Sequence, residues 1–441
     1  MHHILFEYEI SPPTWVYLSS LLTIGIYFKF RRFWSVRNLD LFGLIAFSPG
    51  LLLVGRGVEQ LDPRIVSLGY TWLFIVGGFF LIRLLLDPIM VRRPLLEPNL
   101  SAGGLTFAGV ALLVFLSASV LTGRATESDL EGALWGEQSA AQGDVPPDEI
   151  DIREHGPGYP PFYRFSDLAN NFSSATDNED PQQVHRRKLG WTAARTTAIL
   201  GHLAVVIGMV LIGYRHFDNV HTGAAAAALY LLLPYTSQIP GQVDHVIPAA
   251  LLIWAVEAYR RPVIAGILLG LATGLIYYPL FLLPLWCGFY WRRGLIRFAI
   301  GFVLALLALV ALLAFTSADF GSFLAQLQQM CGFIGLSTEG AAGFWQFHEP
   351  AFRIPVVAAF IALCGSLALW PAQKDLGTLL SCSAAVMLGT QFWNVHYGGV
   401  YMAWYLPLLV LTIFRPNLED RLALSALTEG WNPWRRAAAG G

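Results

Sequence analysis

A chain of 441 residues that is 55% hydrophobic and only 13% charged, with a mean hydropathy of +0.53, has too little charge to cover a soluble body of its size. Its net charge of −2 argues against nucleic acid as a partner, because there is no basic stretch dense enough to neutralise a phosphate backbone. Four cysteines, Cys287, Cys331, Cys364 and Cys382, form no Cys-x-x-Cys pair, which argues against a disulfide framework or a zinc site.

In chain order, the opening stretch MHHILFEYEISPP is acidic and lacks a basic leader region, so the first apolar segment is expected to act as its own insertion signal. Thirteen apolar segments follow, near 14–28, 41–54, 69–86, 102–122, 197–213, 223–235, 246–258, 263–275, 277–291, 295–315, 354–370, 377–393 and 400–414. The expected fold is therefore all-α: a polytopic integral membrane protein of 11–13 transmembrane helices. Cationic residues orient it. If Lys29, Arg31, Arg32 and Arg37 lie inside, strict alternation also places inside Arg92 and Arg93, Arg215, Arg260 and Arg261, Arg292 and Arg293, Lys374, Arg415 and Arg421. The tail 417–441 is then cytoplasmic.

One stretch tests that count. Between Arg261 and Arg292 lies PVIAGILLGLATGLIYYPLFLLPLWCGFYW, which as a single span would put one arginine pair on the wrong side. Two short helices meeting near Tyr277-Tyr278-Pro279 keep both pairs inside. Their turn should sit below the outer surface, where non-helical backbone survives only if protein buries it or it lines a wet cavity. The spacing Gly266–Gly270–Gly274 predicts close helix packing.

Between the fourth and fifth segments, residues 122–191 hold thirteen acidic residues against six basic ones, a local charge of −7. The loop is expected on the outer side. Leu130, Ala133, Leu134 and Trp135 suit a short interfacial helix, with Ser128 and Glu131 spaced as a capping box.

This loop, ESDLEGALWGEQSAAQGDVPP followed by HGPGYPPFYRF, resembles the first outer loop of the GT-C superfamily, membrane glycosyltransferases that use polyprenyl-phosphate sugars. A second block, LLLPYTSQIPGQVDHVIPAALLIWAVEAYRRPVIAGILLGLATGLIYYPLFLLPLW, is similar to the core of bacterial polyprenyl-phosphate-mannose-dependent transferases, and HYGGVYMAWYLPLLV resembles their closing span. The resemblance covers roughly 101–416, with outer loops at 123–192 and 317–353. It leaves 1–100 as additional N-terminal helices.

The resemblance implies a transferase in the cytoplasmic membrane. It would move a mannose-like or other hexose or pentose from a polyprenyl-phosphate donor to a glycan, lipid or protein acceptor on the extracytoplasmic face. Asp129 is then the general base, a task a carboxylate within hydrogen-bond distance of the acceptor hydroxyl can perform; the alternative for Asp129 is a helix cap. Glu127 and Glu131 are supporting neighbours. Gln242, Asp244 and His245, at the mouth of a short segment, are acceptor-binding or capping residues. Tyr277 and Tyr278 stack on a sugar, line a lipid groove or belong to an interfacial aromatic belt.

Relatives commonly carry a lysine before the Tyr-Pro turn; this chain has Ile276. The outward cations left to hold a donor phosphate are Arg153, His155, Arg164, Arg353 and His396. In the last outer loop, His348 and Glu349 read as interfacial anchoring or a lid. No Walker loop, dinucleotide fingerprint, His-Glu-x-x-His or nucleophile elbow occurs, which favours a lipid-linked donor over a nucleotide sugar. No cofactor and no resident metal are expected, although Asp129 with other loop acids has the chemistry to hold a divalent cation. Two other classes fit parts of the pattern: a transporter or flippase, and a non-catalytic envelope scaffold.

Overall fold

The computed structural model describes residues 11–90, 97–122, 156–158, 181–239, 241–317, 320–321, 323–324, 327 and 341–418. The described residues are 79% helical, and no strand occurs among them. Each of the thirteen apolar segments contains a helix: α1 Pro12–Tyr27, α2 Val36–Glu59, α3 Pro63–Leu86, α4 Ala102–Thr122, α5 Pro181–Arg215, α6 Val220–Leu232, α7 Val243–Glu257, α8 Pro262–Leu275, α9 Leu283–Phe289, α10 Leu295–Thr316, α11 Arg353–Leu369, α12 Leu376–Thr390 and α13 Leu406–Phe414. Among the described residues, five stretches, within α2, α4, α5 and α10 and over 63–89, are long and apolar enough to cross a membrane.

Local chemistry sets the starts. Ser35, Asp62, Asn219 and Asp375 each accept a backbone N–H of the helix that follows, satisfying donors that have no intrahelical acceptor. Proline opens α1, α3 and α8, where its missing N–H costs nothing.

Contacts between helix ends establish the alternation. At one end of the bundle, Asn99 donates to the carbonyls of Gly25 and Phe28. Arg83 of α3 donates to Asp40 of α2 at 2.9 and 3.0 Å and to Asp87 at 2.9 Å, while Arg415, after α13, donates to Asp87 at 3.0 and 2.7 Å. Arg215 pairs with Glu257, and the Tyr290 hydroxyl donates to the Tyr259 carbonyl at 2.6 Å. Lys374 donates to Ala368 and Pro371 carbonyls beside Gly288. This is the end where Lys29, Arg31, Arg32, Arg260, Arg261, Arg292 and Arg293 collect, as the alternation requires.

The chain between Arg261 and Arg292 is a hairpin. α8 ends at Leu275, Ile276 is extended (φ −135°, ψ 143°), a 3-10 turn runs Tyr278–Leu282, and α9 returns. At 1.5 Å per residue, the 14 residues of α8 are about 21 Å long, too short for a hydrocarbon core of about 30 Å. α8 lies against the neighbouring α10 through its glycines: a Cβ at Gly266 would strike the Phe298 carbonyl, one at Gly270 would meet the Phe302 carbonyl at 2.7 Å, and Gly274 lies on Leu309. Leu309 precedes the end of α10 by about two turns, so the elbow is sunk about 10 Å below that end. Ile276, Tyr278 and Leu282 are buried there. One continuous apolar core joins Tyr27 to Leu418, so the first three helices share it with the rest of the chain.

Candidate functional site

Three irregular segments meet at the end opposite the arginine pairs. The first, 233–242, begins where Leu233 is forced extended by Pro234, and the Thr236 hydroxyl ties the broken helix to the Tyr230 carbonyl at 2.7 Å. The second is the elbow 276–282. The third, 391–405, is folded back by Gln391, whose Oε1 accepts the N–H groups of Gly399 and Tyr401 at 3.0 and 3.2 Å. Gly399 (φ 99°) and Gly343 (φ 80°) hold left-handed backbone that favours glycine, and Gly343 bridges to Gly398.

Of the acidic loop 123–192, residues 156–158 reach this place. The N–H groups of Gly156 and Gly158 donate to the carbonyls of Leu275 and Gly274 at 2.8 and 2.7 Å, satisfying the C-terminal end of α8. A side chain at Gly156 would collide with the Gly274 backbone. Residues 156–158 are thus seated on the sunken elbow. Asp129, Glu127, Glu131, Arg153, His155 and Arg164 lie outside the described residues, as do the loop acids considered for a divalent cation and Cys331.

The described site residues do converge. His245, 3% exposed, exchanges a hydrogen bond between Nδ1 and the Tyr235 hydroxyl at 2.8 Å, and its Nε2 lies 4.0 Å from Asp244 Oδ2. The ring of His245 packs on Tyr401 (centroids 4.6 Å), Tyr401 stacks on Trp404 (4.5 Å), and Trp404 Nε1 donates to the Asp244 carbonyl at 3.2 Å. Tyr278 lies 4.7 Å from Trp404 and 5.7 Å from Trp393. Its ring is wholly enclosed, whereas Tyr277, 4.2 Å away, is half-buried.

Arg353 opens α11 at the same place. Its Nε donates to the Trp393 carbonyl at 2.9 Å, its guanidinium lies 6.0 Å from the Trp393 ring centroid, and it is within electrostatic reach of Tyr277 and Tyr278. It is 5% exposed, and among the described residues no carboxylate pairs with it. Its Nη1 has no hydrogen-bond partner; neither do Trp393 Nε1 and Asn394 Nδ2. Buried donors are normally satisfied, so three unsatisfied ones on neighbouring residues, one of them charged, suit an acceptor-rich anion. Gln238 Nε2 and Gln242 Oε1 are also buried without partners. His396 is on the third segment, its N–H donating to Asn394 Oδ1 at 2.9 Å.

No protein-family model matches the chain, and no curated protein is similar to it in sequence.

The site is therefore read from its own chemistry: a buried cation with no carboxylate partner among the described residues, a carboxylate–imidazole–phenol line and an aromatic wall, gathered where helices begin or break. Phe344 stacks on Phe74 and on His348 at 4.0 Å each, and Trp345 Nε1 donates to the Phe392 carbonyl at 3.1 Å, so the His348 loop is anchored to α3 and the third segment. No cluster of three or more His, Cys, Asp or Glu suited to a metal occurs among the described residues. Tyr235, Trp393, Asn394, Tyr401 and Trp404 were not singled out from the sequence. Asn394 and Gln391, polar residues at the end of an apolar run, were the signal available.

Proposed function

We propose that the chain is a GT-C-type glycosyltransferase of the cytoplasmic membrane, its thirteen apolar segments crossing or entering the bilayer and its tail inside. In this reading the acidic loop and the sunken site face the extracytoplasmic side. The donor is a polyprenyl-phosphate sugar arriving from the outer leaflet, and the acceptor is a glycan, lipid or protein hydroxyl.

The observation that carries the reading is Arg353: buried, without a carboxylate partner among the described residues, and beside the elbow at which Ile276 stands in place of a cation. Glycosyl transfer from a lipid phosphate releases a phosphate whose charge grows in the transition state, and a fixed guanidinium with adjacent N–H donors stabilises such charge. Arg353, Trp393 Nε1 and Asn394 Nδ2 fill that role. Asp129 takes the acceptor proton, Gln242 and the Asp244–His245 pair orient the acceptor, and Tyr277 offers a face to the sugar or the lipid chain.

Proteoliposomes supplied with polyprenyl-phosphate mannose or pentose and a glycan acceptor test the reading. At equal protein level Asp129→Asn should lower transfer by about 10²–10⁴-fold. Undiminished product in that variant removes the base assignment. Lipid flipping without transfer by the unaltered protein replaces this reading with the transporter one.

A further inference from the structure

At the arginine-rich end, the connection between α1 and α2 has a surface of its own. Residues 28–37, FKFRRFWSVR, carry Lys29, Arg31, Arg32 and Arg37 with no acidic residue among them. Lys29 is tied to Asn99 at 2.7 Å, and Arg37 faces Glu97. Arg31 and Arg32 are exposed, and neither pairs with a carboxylate among the described residues. Beside them Trp34 is 80% and Phe30 72% exposed.

This loop is built rather than slack. Asn38 is fully buried and its Nδ2 donates to the carbonyls of Lys29, Arg32 and Phe33 at 3.0, 3.0 and 3.2 Å, while its Oδ1 accepts the Lys29 N–H. Phe28, also buried, meets Phe30, Phe33 and Phe42 at ring distances of 4.9–5.4 Å. One amide and one ring therefore fix the backbone on which two unpaired arginines and two outward aromatics stand. The loop joins two apolar helices, and aromatic side chains at such a junction lie at headgroup depth.

We propose that residues 29–34 form a binding site for the phosphate of an anionic phospholipid in the adjoining leaflet. Arg31 and Arg32 hold the headgroup phosphate, and Phe30 and Trp34 bracket its glycerol and upper acyl region. Guanidinium groups bind phosphate through directed, charge-assisted hydrogen bonds, and each basic residue near an anionic surface adds to the attraction. The site is independent of the glycosyltransferase reading.

Native mass spectrometry of the full chain in detergent, titrated with phosphatidylglycerol or phosphatidylcholine, tests this. The unaltered protein should retain phosphatidylglycerol over phosphatidylcholine, and Arg31→Gln with Arg32→Gln should weaken phosphatidylglycerol retention roughly 10–30-fold. Trp34→Ala should weaken both lipids while leaving the preference between them. Equal retention of phosphatidylglycerol by the double variant overturns the proposal. So does displacement of the lipid by millimolar inorganic phosphate, which would make the site one for free phosphate.

Discussion

The Tyr290 hydroxyl donates to the Tyr259 carbonyl across 2.6 Å, so the chain enters α8 and leaves α9 at the same level. An unbroken span would separate those residues by the thickness of the bundle. In a chain whose native cysteines are replaced by serine, single cysteines at Arg261 and Arg292 should react with an impermeant maleimide from the same side of sealed vesicles. A cysteine at Leu61, 88% exposed at the other end, should react from the opposite side. Labelling of positions 261 and 292 from opposite sides would remove the hairpin.

Gly266 has no room for a methyl group, because a Cβ meets the Phe298 carbonyl of α10. Gly266→Ala should force α8 and α10 apart and cost about 1–3 kcal/mol. Thermal unfolding in detergent should show a lowered midpoint, whereas Gly55→Ala, inside α2 and with a Cβ that meets nothing, should unfold at or above the midpoint of the unaltered protein.

Asp87, fully buried, accepts from both Arg83 and Arg415 and so couples α3 to α13. Asp87→Ala leaves the buried Arg415 without a carboxylate, while Arg83 keeps Asp40, and should cost about 3–5 kcal/mol. Adding Arg415→Met to that variant should restore part of the loss, since an apolar replacement of both partners is tolerated better than removal of one. The measurement is again the unfolding midpoint, read for all three variants.

Tyr235 fixes His245 by a buried hydrogen bond of 2.8 Å. Tyr235→Phe keeps the ring and removes the hydroxyl, for an expected cost of about 0.5–1.5 kcal/mol, with a transfer defect larger than the stability loss explains. Equal defects in transfer and in folded protein would make Tyr235 a packing residue only.

The sequence made the helices legible because long apolar runs and arginine pairs leave little choice of topology. The break at Tyr277-Tyr278-Pro279 and the Gly266–Gly270–Gly274 contact followed from charge placement and residue size in the same way. Asp244, His245, Tyr277 and Arg353 were singled out as polar or aromatic residues at segment ends, and the fold brings them together. The aromatic wall was not legible: Tyr235, Trp393, Tyr401 and Trp404 sit in apolar runs, where a ring that lines a site and a ring that fills a core look alike. Nor does a sequence state whether an arginine has a carboxylate partner. For Arg353 that depends on three segments far apart in the chain.

The central claim is that Arg353 receives the phosphate of a lipid donor at the sunken elbow. Binding of a short-chain polyprenyl phosphate, measured in excess phosphatidylglycerol to occupy the opposite end of the bundle, tests it most directly. Arg353→Gln should lose at least tenfold in affinity while folding normally, and Arg353→Lys should recover part of it, since an ammonium keeps the charge without the forked donors. Undiminished binding by folded Arg353→Gln would contradict the account.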